Sequence, residues 1–220
     1  MAIKILNVSA APVNREEDDI VASIANGVGT VPDYRDLGGG MALRFADLDV
    51  AEKWAAAIPG ATLEDHGESK RKHYLMLPSG FVMRLGVQHL SSKMSLKNAA
   101  DWSEVRACDG VEMSDGAPCV CAKLAEHGSG EMRQLANTNQ ACKPSSFMVA
   151  HVVGFEGLGK VSFSKSSEST VRPMVALEEE QATPFTVTLS MKQVTSKKLG
   201  HTWSVPEFAD VVADAEPEPF

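Results

Sequence analysis

Apolar and polar residues alternate for ten positions over residues 185–194, the strongest periodic signal in the chain. A period of two predicts a strand with one buried and one wet face. Residues 195–200 turn the chain back into residues 201–205, which predicts a hairpin carrying Lys192, Lys197, Lys198 and Trp203. A second regular stretch begins at Met41. Leu43 and Phe45 predict a strand, and Asp47 or Asp49 can cap a helix with apolar positions Val50, Trp54 and Ile58 that Pro59-Gly60 stops. A polar loop over 64–72 is followed by strand-like runs at 74–77 and 81–87, read as a hairpin turning at Pro78-Ser79-Gly80. Residues 147–153 read as a buried strand and 161–164 as another across the turn at 154–159. A hydroxyl within the Ser-rich run 164–170 is expected to cap a helix over 171–180, with Pro173 in its first turn.

The remaining stretches are less regular. Residues 3–8 are apolar, and the cluster Arg15-Glu16-Glu17-Asp18-Asp19 suits the first turn of a short helix that continues through Ile20, Val21 and Ile24. Gly27, Gly29, Pro32 and Gly38-Gly39-Gly40 break the chain, without the spacing of a phosphate-cradling loop. Residues 88–105 are polar and read as irregular up to Trp102, which is expected to pack against the segment that follows. These readings predict an α+β fold of mainly antiparallel strands, its sheet a partly open OB-like barrel, with two or three short helices. The expected organisation is an N-terminal segment (1–40), a small α+β unit (41–105), a cysteine-rich segment with a β-rich unit (106–206) that forms one body with it, and an acidic tail (207–220).

Charge sharpens the picture of that tail. The net charge of −8 is uneven: five acids and no Lys or Arg occupy residues 207–220, so residues 1–206 carry 24 acids against 21 bases. The body is near neutral, and the acidity of the whole does not exclude nucleic acid as a partner. The tail, Pro-interrupted and ending on Phe220, is expected to be disordered at its end, with Glu216, Glu218 and Phe220 forming a peptide ligand for a partner. No run of about eighteen apolar residues is present and the N-terminus does not read as a signal peptide, so a cytosolic location without a membrane is expected.

All four cysteines fall between Cys108 and Pro144, as Cys108, Cys119-Val120-Cys121 and Cys142, with gaps of ten, one and twenty residues. In a reducing cytosol thiols in such a set read as metal ligands before disulfides. Four thiolates complete a tetrahedral zinc shell, so Cys108, Cys119, Cys121 and Cys142 are read as a structural site, with His127 as a substitute for one ligand and small buried apolar residues as the other reading. No Gly-x-Ser-x-Gly, His-Glu-x-x-His or phosphate loop is present, and the six histidines are scattered, so a binding protein rather than an enzyme is expected. Candidate nucleic-acid contacts are the basic run Lys70, Arg71 and Lys72, the helix-start Lys165, and Lys192, Lys197, Lys198 and Trp203 on the hairpin, where a base can stack and phosphates meet charge. Solvated loop charge, helix capping and sheet-edge protection with Trp203 in the core are the competing readings of these residues.

From the middle of the chain onward the order of short motifs is familiar. Asp101-Trp102, Cys108-Asp109-Gly110, Cys119-Val120-Cys121, Cys142-Lys143-Pro144-Ser145-Ser146, Gly157-Leu158-Gly159-Lys160-Val161-Ser162-Phe163, Pro184-Phe185-Thr186-Val187-Thr188-Leu189 and Val205-Pro206 together resemble the bacteriophage recombination directionality factors that work with large serine integrases. The resemblance covers about residues 42–208 and is strongest from Trp102. It implies a non-enzymatic protein of the bacterial host's cytoplasm that binds a serine integrase on DNA and shifts it from integration to prophage excision. A homo-oligomer is a further expectation for the chain. The C-terminus departs from that pattern: an acidic tail ending in Pro-Phe looks like those of single-stranded-DNA-binding proteins. That implies the alternative of a phage replication protein binding exposed single strands and recruiting replication partners through its tail.

The cysteine reading is checked by metal analysis. Freshly purified protein is expected to hold about one zinc per chain, and well below one equivalent removes the clip.

Overall fold

The computed structural model describes residues 19–28, 35–66, 71–97, 104–108, 142–166, 168–195 and 200–213. The apolar segment 3–8, Lys70, Trp102, Cys119, Cys121, His127, Lys197, Lys198, Glu216, Glu218 and Phe220 lie outside the described residues. The fold is mixed α/β and mostly strand. In chain order the elements are β1 (Ile20–Ala25), β2 (Gly27–Val28), β3 (Arg35–Asp36), β4 (Ala42–Phe45), α1 (Leu48–Ala57), β5 (Thr62–Asp65), β6 (His73–Met76), β7 (Met83–Lys97), β8 (Glu104–Cys108), β9 (Lys143–Val152), β10 (Lys160–Lys165), α2 (Glu168–Glu180), β11 (Phe185–Thr195) and β12 (Thr202–Ala213). The chain divides into two compact units, a larger one of Val13–His89, Met148–Ser164 and Gln181–Phe220, and a smaller one of Met1–Pro12, Leu90–Phe147 and Lys165–Glu180.

In the larger unit the strand order is β12-β11-β7-β9-β10-β1-β4-β6-β5, and the sheet does not close into a barrel. Apolar alternation decides its inner face. Met83, Leu85 and Val87 of β7 stand opposite Leu189, Val187 and Phe185 of β11, and all six are essentially inaccessible to solvent. At the other end α1 covers Leu43, Phe45 and Leu75 with Ala51 and Trp54. Asp47 caps α1, its carboxylate accepting from the Asp49 and Val50 amides at 2.8 and 3.2 Å, and the helix stops before Pro59-Gly60. Trp54 stacks on Phe155 (5.9 Å between centroids) and its indole N–H donates to the Leu158 carbonyl at 3.1 Å, which pins the short 3-10 turn Glu156–Leu158 to the helix. Gly159 ends that turn at φ +94°, where a Cβ would lie 2.7 Å from Val21 Cγ1, so both its backbone and its space exclude a side chain.

Several expectations are corrected. Ile20–Ala25 is a strand, not a helix: its β-branched Ile20, Val21 and Ile24 suit a pleated surface, and β1 lies between β10, to which it is parallel, and β4. The turn at Pro78-Ser79-Gly80 forms, with the Phe81 amide on the Pro78 carbonyl at 3.0 Å, yet the strands it joins are not partners: β6 pairs with β4 and β5, and β7 with β11. Thr62–Asp65, within and before the expected loop, is the outermost strand, largely exposed and therefore without an apolar signal. Likewise β7 and β8 occupy much of the stretch read as irregular. Strand β12 runs on to Ala213, so seven residues of the expected tail are ordered, with Asp210 at φ +50° where two residues of β12 oppose one of β11. Pro206 is tolerated because β12 is an edge strand, and the proline and bulge blunt that edge against further pairing.

In the smaller unit β8 pairs with the distal part of β7, Met94 opposite Cys108. Helix α2 starts at Glu168, so Pro173 is its sixth residue rather than lying in its first turn, and the amide bond it would make one turn back is forfeited. Val171, Met174, Val175 and Leu177 form its buried stripe. On the same helix, half-buried Glu178 meets Ser92, which is inaccessible in β7 and whose hydroxyl is 2.7 Å from that of Ser146.

Burial, only partly offset by hydrogen bonds from Ser92, holds the Glu178 carboxyl above its ordinary pKa. The folded state therefore binds this proton more tightly than the unfolded one: the contribution is most favourable below the ordinary carboxylate pKa and is lost as pH rises through the folded value. Glu178→Gln is expected to raise the thermal midpoint by about 1–3 °C at pH 7 and to leave it unchanged near pH 4, read by scanning calorimetry across pH.

Candidate nucleic-acid interface

The wet face of the sheet follows from the same alternation that built its core. Opposite residues of an antiparallel pair share a face, so Thr186, Thr188, Ser190, Lys192 and Val194 of β11 look outward together with Gly86 and Arg84 of β7 and with Glu207, Val205 and Trp203 of β12. Arg84 and Gln88 are exposed and the three hydroxyl residues half-exposed, a polar strip across three strands. Gly86 has a steric role here: a Cβ at this position would collide with the His151 imidazole of β9, so the missing side chain lets that ring lie across β7 on the same face.

Two of the expected contacts are brought together on this strip. Trp203 stands opposite Val194 and Lys192 opposite Val205, so the indole and the ammonium are diagonal neighbours on one face. Trp203 is half-buried, and its indole N–H has no hydrogen-bond partner among the described residues. The Lys192 ammonium lies 3.4 Å from the Glu207 carboxylate, an exposed pair worth at most about 1 kcal/mol. The other basic candidates are elsewhere. Arg71 and Lys72 lie at the β5–β6 turn, at the far end of the strand order, where the Lys72 carbonyl accepts from the His66 amide at 2.9 Å. Lys165 ends β10 in the smaller unit. Of the cysteine set, Cys108 is in β8 and Cys142, a buried thiol, immediately precedes β9. Both strands neighbour β7. No group of three or more metal-ligating side chains occurs among the described residues.

What steadies the hairpin is on the opposite face. The ribbon β2–β3 (Gly27 opposite Asp36, Val28 opposite Arg35) lies against both ends of the sheet. Its Val28 and Leu37 pack on Ala42, Tyr74 and Met76, while Asp36 reaches Ser204 of β12. The Asp36 carboxylate accepts from the Ser204 hydroxyl and the Gly38 amide, both at 2.8 Å, and from the Ser204 amide at 3.4 Å. In turn the Ser204 hydroxyl accepts from the Gly39 amide at 3.1 Å, and its carbonyl from the Asn26 side chain at 3.3 Å. Every polar group of this inaccessible serine is satisfied. Beside this latch is a cleft of about 390 Å³, lined by Leu37, Met41, Met76, Met191 and Gln193 with glycine backbone on two sides.

Sequence reasoning placed Lys192 and Trp203 on one hairpin but missed Arg84, His151 and Asp36. Arg84 and His151 join the strip only through pairing with β11 and through the gap at Gly86. The Asp36-x-Gly38-Gly39 turn was the one local signal available for the latch. Comparison with protein-family models, with curated proteins and with solved structures finds no match to this chain.

Asp36→Ala leaves the buried Ser204 hydroxyl without its acceptor. It is expected to cost about 2 kcal/mol in urea unfolding and to raise hydrogen exchange in the distal β11–β12 hairpin more than in β4 and β6.

Proposed function

We propose that this chain is a non-enzymatic protein of phage DNA transactions, of the recombination-directionality-factor kind, which binds a serine integrase on DNA and favours excision of the prophage. The open strip with Arg84, Thr188, Lys192 and Trp203 on one face of β7-β11-β12 is the observation that carries the DNA part of this reading, since it offers cations and hydroxyls to phosphates and an aromatic ring to a base. The motifs that carry the family resemblance fall partly on core strands, where Phe163, Phe185, Val187 and Leu189 are buried. They therefore speak for a shared scaffold, and the integrase partner rests on the resemblance. The four-cysteine zinc clip at Cys108, Cys119, Cys121 and Cys142 belongs to the same proposal, as a structural brace near β8 and β9. So does an OB-like mode of use of the open strand face.

The adjacent placement of Lys192 and Trp203 favours a second reading, a single-stranded-DNA-binding protein whose terminal Glu216, Glu218 and Phe220 recruit replication partners. Stacking platforms beside a cation suit unpaired bases, which present their π faces.

Two assays separate the readings. A directionality factor is expected to let the cognate integrase recombine the two hybrid attachment sites and to inhibit recombination of the original pair; no effect on either reaction removes it. For single strands, fluorescence anisotropy with an oligothymidine at low salt is expected to show binding that Trp203→Ala weakens about tenfold and whose log K–log salt slope Lys192→Ala reduces by about 0.7. Undetectable binding removes this second reading and leaves the first standing.

A further inference from the structure

Three separate segments of the larger unit enclose the cleft of about 390 Å³ beside the latch: the glycine turn from Leu37 to Met41, the end of β6 with the turn that follows it, and Met191 with Gln193 of β11. Backbone hydrogen bonds fix these walls. The Gly40 amide donates to the Leu37 carbonyl at 3.0 Å, the Leu77 amide to the Met41 carbonyl at 3.1 Å and the Phe81 amide to the Pro78 carbonyl at 3.0 Å. The Gly38 and Gly39 amides are held by Asp36 and Ser204. Toward β11 the turn presents bare backbone, since a Cβ added at Gly38 or at Gly39 would lie 3.6 or 3.5 Å from the Gln193 side chain. The cleft is therefore preformed.

Its lining is chemically selective. Met41, Met76 and Met191, one from each segment, offer polarizable thioethers that adapt in shape and make favourable contacts with flat aromatic rings. Gln193 is exposed, and its carboxamide carries a donor beside an acceptor, the complement of a donor–acceptor edge such as N6 and N7 of adenine. The exposed Ser79 hydroxyl adds a second polar group. No Lys, Arg, His, Asp or Glu lines the cleft among the described residues, and the Asp36 carboxylate, 2.8 Å from the Gly38 amide, puts negative charge behind one wall. A phosphate there meets repulsion and no counter-charge. The volume lies in the range of small-ligand sites.

From this cleft and its lining we infer a binding site for a neutral, planar heteroaromatic ring of the nucleobase type, taken up as a free base or nucleoside without phosphate. The ring lies among the three thioethers, and the Gln193 carboxamide pairs with its donor–acceptor edge. Gln193 stands opposite Ser204 on the ribbon side of the hairpin, away from Lys192 and Trp203, so the inference does not rest on the DNA reading of the outer strip.

Adenosine titrated into full-length protein carrying carbon-13 in its methionine methyl groups is the test. Ring currents are expected to move the Met41, Met76 and Met191 resonances together, with a dissociation constant of about 0.1–1 mM for a neutral ligand of this size. Ser79→Phe, which puts a ring in the cleft from an exposed turn position, should abolish the shifts. Gln193→Leu, which keeps the bulk but loses the amide, should weaken binding about tenfold, with circular dichroism confirming that both variants fold. Adenosine monophosphate should bind more weakly than adenosine. Resonances that stay still at about 5 mM adenosine, or shifts that survive in folded Ser79→Phe, overturn the inference. An oligodeoxyadenosine that moves the same resonances at lower concentration than adenosine, in Trp203→Ala protein, reassigns the cleft to nucleic acid and overturns the free-ligand assignment. Because Trp203→Ala is expected to leave the adenosine shifts intact, failure of this site and failure of the outer strip are distinguishable.

Discussion

Strand β11 is the constraint on which the outer half of the sheet depends. It is flanked by β7 and β12, and its Phe185, Val187 and Leu189 are wholly withdrawn from water against Met83, Leu85 and Val87. Burying a side chain of this size is worth about 1.5–3 kcal/mol each, so this stripe fixes the register of β11 against β7. Because the side-chain period is two, driving those residues inward forces Thr186, Thr188, Ser190 and Lys192 outward. A slip of one residue would exchange the two sets. The polar strip is therefore a geometric consequence of the core, and its chemical character depends on which polar residues occupy the obligatory outward positions.

A second constraint acts at the distal end of the hairpin, where β11 loses its buried character after Leu189. Two-stranded segments are marginal in water unless something packs on them. Here the ribbon β2–β3 provides the support through the Asp36–Ser204 hydrogen bonds and is itself too short to stand alone. Hairpin and ribbon stabilise one another, with the ribbon's other side held by the apolar cluster around Tyr74. One small element therefore borders both the latch and the methionine-lined cleft.

The outer and inner faces then separate two kinds of chemistry. The outer strip is open, with weakly paired charge and an aromatic ring, as suits an extended ligand that touches many points lightly. The ribbon-covered face is instead apolar around Ala42 and Tyr74, with the Arg44 Nε shielded from solvent beside them.

By itself the sequence determined the elements whose signals are local. The alternation over 185–194, the Asp47 cap with Val50, Trp54 and Ile58, and the Pro59-Gly60 stop specify β11 and α1 because propensity, period and capping act over a few residues. Where polarity and period were ambiguous the sequence misled: the acids before Ile20 resemble a helix start although β1 is a strand, Thr62–Asp65 has no apolar stripe because it is an edge, and the turn at Pro78 says nothing about which strands pair. Only the tertiary structure decided the rest. Arg84 joins Lys192 and Trp203, Ser23 and Tyr74 flank Arg44, and Asp36 meets Ser204 across 168 residues through strand pairings and packing between distant segments. Such pairings are selected by the burial of whole faces, and no short stretch of chain carries that information.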